Sequence, residues 1–374
     1  MSKRKFEDLS IEEKRLVMDH YYAGRSFRKI CDEFNLKEYS SSIHLKFPHA
    51  RAGTDCPNCG EPLMCRFHHR SIRDFKEAYC PQCGHLPGNN YCECKYCKEK
   101  RMQIRAQKEK TIADTYTKSI VGVDFSALDT IDRVYLAVAY RSLQADEYYE
   151  FLPLAQSDSK MTPTREMDRK VLRHLINSHC FAVSPNSAVE AFEDNSHFPK
   201  HFDPLYVKLW LTVEGLGDEF ETKLKLFSPG RSSFISTELL KLWFDLGSEE
   251  CLYYAWWVMS KTCRVMPTAG CKKVFIDLLH DFSICQIFYI IKSAITNPVL
   301  LDESVRNSSD FDQRWLPCQL NYYARKARLG SLKLRGLCRP DDYEISELTY
   351  YLFNKATDLK ERGFTLPPSM DYLL

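Results

Sequence analysis

The sequence predicts a mostly α protein in three parts, and three observations carry that expectation. Apolar residues recur at helical spacing along most of the chain, no stretch beyond residue 112 alternates with period two, and eight of the sixteen cysteines crowd between Cys56 and Cys97. At 374 residues the chain is long for one domain, and 44% hydrophobic with 13% aromatic residues supplies ample core material and excludes a disordered chain. The expected parts are a helical module over 1–50, a zinc-binding module with one or two zinc sites over 51–98, a basic linker helix over 99–118 and a mostly helical domain over 119–374.

The first helix starts at Ser10, which stands three residues before Glu13 in capping-box spacing. Ile11, Leu16, Val17 and Tyr21 follow with roughly helical period, and Gly24 ends the run. A second helix carries Phe27, Ile30, Cys31 and Phe34 on one face and breaks at Asn35; a third segment spans 39–47. The order Gly-Arg-Ser-x-Arg-x-Ile-Cys-x-x-Phe-Asn-Leu, followed by a serine cluster and Ile43, resembles the helix-turn-helix of resolvases, sigma factors and insertion-sequence transposases. Cys31 stands where that family usually has a small residue such as alanine. The resemblance implies that the third helix enters the major groove and that Lys37, Ser40, Ser41, Ser42, His44 and Lys46 face double-stranded DNA. The competing expectation is a trihelical packing module that touches no nucleic acid.

Cys56-Pro-Asn-Cys59-Gly and Cys80-Pro-Gln-Cys83-Gly, with twenty residues between Cys59 and Cys80, are two zinc knuckles. Cysteines two residues apart can turn both sulfurs onto one ion, the glycine permits the tight turn, and two such pairs complete a four-thiolate tetrahedron. The pattern resembles a zinc ribbon. Four protein ligands leave no open position, so this zinc is expected to be structural. Two arrangements remain open for a second zinc. One takes Cys65, His68, Cys94 and Cys97, whose pairs interleave with the first site in a cross-braced order that resembles the ubiquitin-ligase RING pattern. The other takes Cys92, Cys94 and Cys97 with His85.

Residues 98–110 hold six basic side chains against two acidic ones on a predicted solvated helix. Beyond it, helical patterns cover 128–143, 162–177, 237–246, 251–259, 271–295 and 346–359, and 282–295 is apolar on nearly every side, as a central buried helix requires. Thr162-Pro163 starts a helix that runs into an extended arm at Cys180, a winged-helix-like combination over 160–190.

Catalytic signals are sparse. The chain has no Gly-Lys-Ser/Thr phosphate loop, no Gly-x-Ser-x-Gly elbow, no HExxH and no Gly-rich dinucleotide turn. Asp124 could open a two-metal nuclease core, and Asp277 and Asp281 would share a helix face, but no set of strand-borne carboxylates follows. Residues 313–340 hold seven basic side chains, among them Arg325, Arg328 and Arg335, with no acid and with Trp315, Tyr322 and Tyr323 interleaved. That combination suits phosphate clamping and base stacking.

The net charge of +2 conceals an asymmetry: residues 1–111 hold 22 Lys and Arg against 15 Asp and Glu, and the rest hold 30 against 35. An anionic partner is expected at the front. No apolar run reaches the ~18–20 residues of a membrane span, and the N-terminus lacks the apolar stretch of a signal peptide, so a reducing cytoplasm is expected. Together these observations predict a zinc-dependent DNA-binding protein. The resemblance to transposase N-termini implies a regulator or accessory factor of a prokaryotic mobile element or defence system. The rivals are a protein-interaction adaptor, docking a partner through the helical domain, and a nucleic-acid-processing enzyme.

Overall fold

Serine at position 10 caps the first helix in the way its spacing predicts. Its hydroxyl accepts from the Glu13 amide at 3.2 Å while the Glu13 carboxylate accepts from the Ser10 amide at 2.8 Å, and helix α1 follows over Ile11–Tyr22. Of the expected apolar face only Val17 and Tyr21 are buried; Ile11 and Leu16 are exposed. Helix α2, Phe27–Glu33, buries Ile30 and Cys31, and Asn35 leaves it in the left-handed region at φ +52°. The computed structural model describes residues 3–37, 42–72, 76–117, 121–143, 150–214, 233–262, 267, 269–297 and 311–373. In the third segment, expected to be helical over 39–47, the described residues form a single 3-10 turn, Ile43–Lys46.

An antiparallel sheet of three strands follows, β1 Ala50–Asp55, β2 Pro62–Phe67 and β3 Lys76–Tyr79, with β2 in the centre. Phe67 turns away from this sheet into the core made by Phe6, Val17, Tyr21, Ile30, Phe34, Leu36, Ile43 and Phe47. The Tyr22 hydroxyl donates to the His68 carbonyl at 2.7 Å, and the Arg70 guanidinium donates to the Arg25 carbonyl at 2.7 Å. The cysteine module thus closes the helical core through Phe67 while Cys56, Leu63 and Cys80 form a small cluster of their own, and both lie in the compact unit Met1–Lys108.

Helix α3, Lys95–Tyr116, carries the chain into the second unit, Glu109–Leu374. This unit is mostly helical, as its periodicity predicts. Helix α4 is Thr130–Ser142 and α5 is Arg165–Asn177, whose Met167, Val171, Leu172 and Leu175 are buried. The extended arm after α5 is strand β5, Phe181–Val183, in a three-stranded sheet with β4, Glu150–Phe151, and β6, Leu209–Leu211. Strands of two or three residues are too short to show an alternating pattern in the sequence.

Two helical boundaries differ from expectation. The segments 237–246 and 251–259 are one helix, α6, Ser233–Thr262, which continues through Gly247, where a Cβ would meet the Leu279 side chain at 3.1 Å. The glycine marks close helix packing there rather than a stop. The segment 271–295 is two helices, α7 Ala269–Leu279 and α8 Ile284–Thr296, divided where Ser283 and Gln286 form a capping box. Helix α8 buries Ile284, Ile287, Phe288, Ile290 and Ile291 at the centre of the unit, and α9, Phe311–Arg328, packs on α7 and α8. Glu250 of α6 is fully buried and accepts from the hydroxyls of Tyr343, at 2.6 Å, and Thr349. These bonds offset the cost of burying its charge.

Candidate metal centres

Two turns of nearly identical backbone present the first four cysteines. At the β1–β2 connection the Cys56 amide donates to the Glu61 carbonyl at 2.7 Å and the Gly60 amide to the Cys56 carbonyl at 2.9 Å. After β3 the Cys80 amide donates to the His85 carbonyl at 2.8 Å and the Gly84 amide to the Cys80 carbonyl at 2.9 Å. Gly60 and Gly84 hold φ of +77° and +70°, the left-handed geometry that glycine adopts without penalty and that closes each turn. Cys56 Sγ lies 3.6 Å from Cys83 Sγ, and Cys59 Sγ lies 3.4 Å from Cys80 Sγ. A tetrahedral ion with metal–sulfur bonds of about 2.3 Å separates its sulfurs by about 3.8 Å, so the four thiols fit one ion.

A second group follows directly. His85 is the residue after Gly84, and its Nδ1 lies 3.6 Å from Cys92 Sγ, 3.9 Å from Cys94 Sγ and 3.2 Å from Cys97 Sγ. All four ligand atoms lie within 4.8 Å of one another. Cys97 sits in the first turn of α3, and the Cys97 amide donates to Cys94 Sγ at 3.5 Å. The Leu86 amide donates to Cys92 Sγ at 3.3 Å.

Between the groups stands Asn58, the third residue of the first knuckle. Its Nδ2 donates to Cys94 Sγ at 3.7 Å and to Cys97 Sγ at 3.6 Å. The sequence offered no sign of this role beyond a polar side chain between two cysteines. Against the upward push of burial, the Cys83 amide and the Cys59 and Cys83 thiols pull Cys80 down to about 7. Against the same push, the Cys94 and Leu86 amides and the His85 ring pull Cys92 down to about 6. Each group thus holds one thiol ready to become a thiolate near neutral pH, the form a metal requires.

The alternative pairing of Cys65 and His68 with Cys94 and Cys97 is not what the structure brings together. Cys65 lies in the strand Pro62–Phe67 and His68 just beyond it, and neither joins a group of ligand atoms that could hold an ion among the described residues. Cys65 lies across from Ala50 and Ala78, and His68 Nε2 bonds the Glu77 carboxylate at 3.1 Å.

Of the residues expected at DNA, Ser40 and Ser41 lie outside the described residues. Lys37 and Ser42 are exposed, the His44 ring rests against His69, and the exposed Lys46 pairs with Glu7 at 2.6 Å. In the second unit Arg325 and Arg335 are exposed. Arg328 instead bonds Asp281 at 2.7 Å and Asp277 at 3.0 Å, which accounts for all three residues that the sequence offered separately as a cation for nucleic acid and a carboxylate pair for catalysis. Asp124 caps a short turn through the Ser126 amide at 2.7 Å. No described helix is long and apolar enough to cross a membrane. Comparison with protein-family models, curated proteins and solved structures finds no match to this chain.

Proposed function

We propose that the chain is a zinc-dependent protein that binds double-stranded DNA through its N-terminal unit. The observation that carries this reading is the course of α3. It carries the candidate ligand Cys97 in its first turn and leaves every residue over 98–107 exposed, with Lys98, Lys100, Arg101 and Arg105 against Glu99. The stretch also exposes Met102 and Ile104, so it gains nothing from a core, and a basic helix of α-helical width fits the major groove and its phosphates. Zinc suits both candidate centres because its preferred donors are thiolate and imidazole in a closed tetrahedron. In this reading the metals are structural: they hold the start of α3 on the frame that also carries the turn Ile43–Lys46, and the second unit acts on a partner protein or on further nucleic acid. A regulator or accessory factor of a prokaryotic mobile element or defence system, acting in the cytoplasm, needs these parts and no catalytic centre.

Binding of the zinc-loaded full chain to random double-stranded DNA, followed by fluorescence anisotropy across a salt series, tests this. The expected result is a log–log slope of about −0.9 per phosphate neutralised, reduced by about one to three contacts' worth when Lys100, Arg101 and Arg105 are changed to Glu. Absence of binding at low salt overturns the reading and leaves the protein-interaction adaptor in its place.

A further inference from the structure

The second unit contains a cavity of about 630 Å³ whose walls carry three different chemistries. One wall is aromatic. Tyr253 and Trp256 stand one turn apart on α6 with rings 5.7 Å apart and 22° from parallel, and Trp256 is 39% exposed, so one flat face is open. Beside the aromatic pair the lining is cationic. Lys160 Nζ is held by the Glu344 carbonyl at 2.6 Å and lies 3.2 Å above the Tyr253 ring, and Arg165 opens the thirteen-residue helix α5 with its side chain 54% exposed. The first amides of α5 have no acceptor within the helix and add positive potential at the same place. The rim supplies acceptors, the exposed carboxylates of Asp158 and Glu344.

We propose that this cavity binds a nucleotide, with its base laid on Trp256, which Tyr253 backs, and its phosphate between Lys160, Arg165 and the start of α5. Inorganic phosphate alone leaves the aromatic wall unused, and a neutral aromatic molecule leaves the cations unused. A nucleotide meets all three surfaces, because its exocyclic amines and ribose hydroxyls donate to the rim carboxylates. The volume falls within the ~300–1,000 Å³ of ordinary small-molecule sites. The remaining acid, Asp168, does not oppose the phosphate strongly. Its Oδ1 is taken by the amide and hydroxyl of Thr162, at 3.0 and 2.8 Å, its Oδ2 lies 3.7 Å from the Arg165 guanidinium, which a bound phosphate would share, and burial pushes its carboxyl up to about 6. Burial also lowers Lys160 to about 8, which an adjacent phosphate reverses. All of these residues lie between positions 158 and 344, so the inference is independent of the DNA reading of the first unit.

The nucleotide has two sources, a free mononucleotide or one unit of a strand, and titration calorimetry on the zinc-loaded full chain separates them. The probes are AMP, GMP, CMP and UMP, adenosine, inorganic phosphate and a short single-stranded oligonucleotide. Trp256→Ala and Arg165→Ala are the variants, since both side chains are exposed enough to lose without unfolding. A mononucleotide that binds at least about tenfold tighter than adenosine or phosphate, and that weakens about tenfold in each variant, supports a free nucleotide. Silent mononucleotides with an oligonucleotide affinity that falls in both variants support a strand unit. Nucleotide and oligonucleotide binding that is absent, or indifferent to both substitutions while circular dichroism is unchanged, overturns the proposal. Double-stranded DNA measured in the same variants reports separately on the first unit.

Discussion

The side-chain amide of Asn58 donates to the sulfur of Cys97 at 3.6 Å, joining a residue of the first cysteine turn to a ligand of the second group. A donor of this kind lowers the charge on a metal-bound thiolate and fixes its direction. Asn58→Ala is therefore expected to keep both metals but to weaken the one at Cys94 and Cys97 by about 10- to 100-fold, measured by competition with a chromogenic chelator. Equal affinity in the variant and the parent protein refutes a role for this amide.

Metal stoichiometry discriminates between the two ligand sets for the second ion. The native chain is expected to carry two zincs, Cys83→Ser and Cys92→Ser one each, and Cys65→Ser and His68→Ala the full two. Mass spectrometry under native conditions reads all five proteins directly, and loss of a metal from Cys65→Ser contradicts the geometry described above.

The ion pairs of Arg328 with Asp277 and Asp281 are exposed, so they add little stability. Arg328→Ala is expected to change the unfolding free energy by about 1 kcal/mol or less, in a urea titration followed by fluorescence. Neutralising both acids as Asn is expected to behave alike.

Glu150 makes the second unit sensitive to acid. Against the upward push of its burial, the Lys208 ammonium at 2.8 Å, the Ser184 hydroxyl and the Asn186 amide hold its carboxyl down to about 2, from an ordinary 4.5. A depressed acid contributes its full stability above its unfolded value and loses it as pH falls toward the folded one. The native protein is thus expected to lose about 2–3 kcal/mol from this group between pH 4.5 and 2. Thermal unfolding of Glu150→Gln across that window is expected to lack this component.

A methyl group at Gly363 has no room. Its Cβ would lie 2.3 Å from the ring of Phe353, whose side chain is buried beside Trp243, and the Trp243 indole donates to the Gly363 carbonyl at 3.1 Å. Gly363→Ala is expected to destabilise the second unit by about 1–3 kcal/mol, while its metal content stays unchanged.

What was legible in the sequence follows from how local each cause is. The knuckles at Cys56 and Cys80 declare themselves because each pair and its glycine are contiguous, and the Ser10–Glu13 cap is equally local. The second centre is less so. His85 reaches Cys92 only through the intervening loop, while Cys65 and His68 imitate ligand spacing at the end of a strand and join no such group among the described residues. The segments 237–246 and 251–259 read as separate patterns, and their union in one helix shows only in the packing of Gly247 against Leu279, 32 residues away in the sequence. The pairing of Arg328 with Asp277 and Asp281, and the convergence of Lys160, Arg165 and Trp256 on one cavity, arise from tertiary packing and leave no periodic trace.

Phe67, a strand residue lodged among the helices, bears on how this protein can be divided. The helical segment resembles a portable reading head, yet its apolar interior is closed by a side chain from the cysteine module, and His68 and Arg70 tie the two together. A chimaera that borrows only residues 1–50 takes an open-sided core with it. The transferable unit runs at least through the last cysteine, and any homologous exchange that respects the apparent join at residue 50 cuts through the middle of a single folded object.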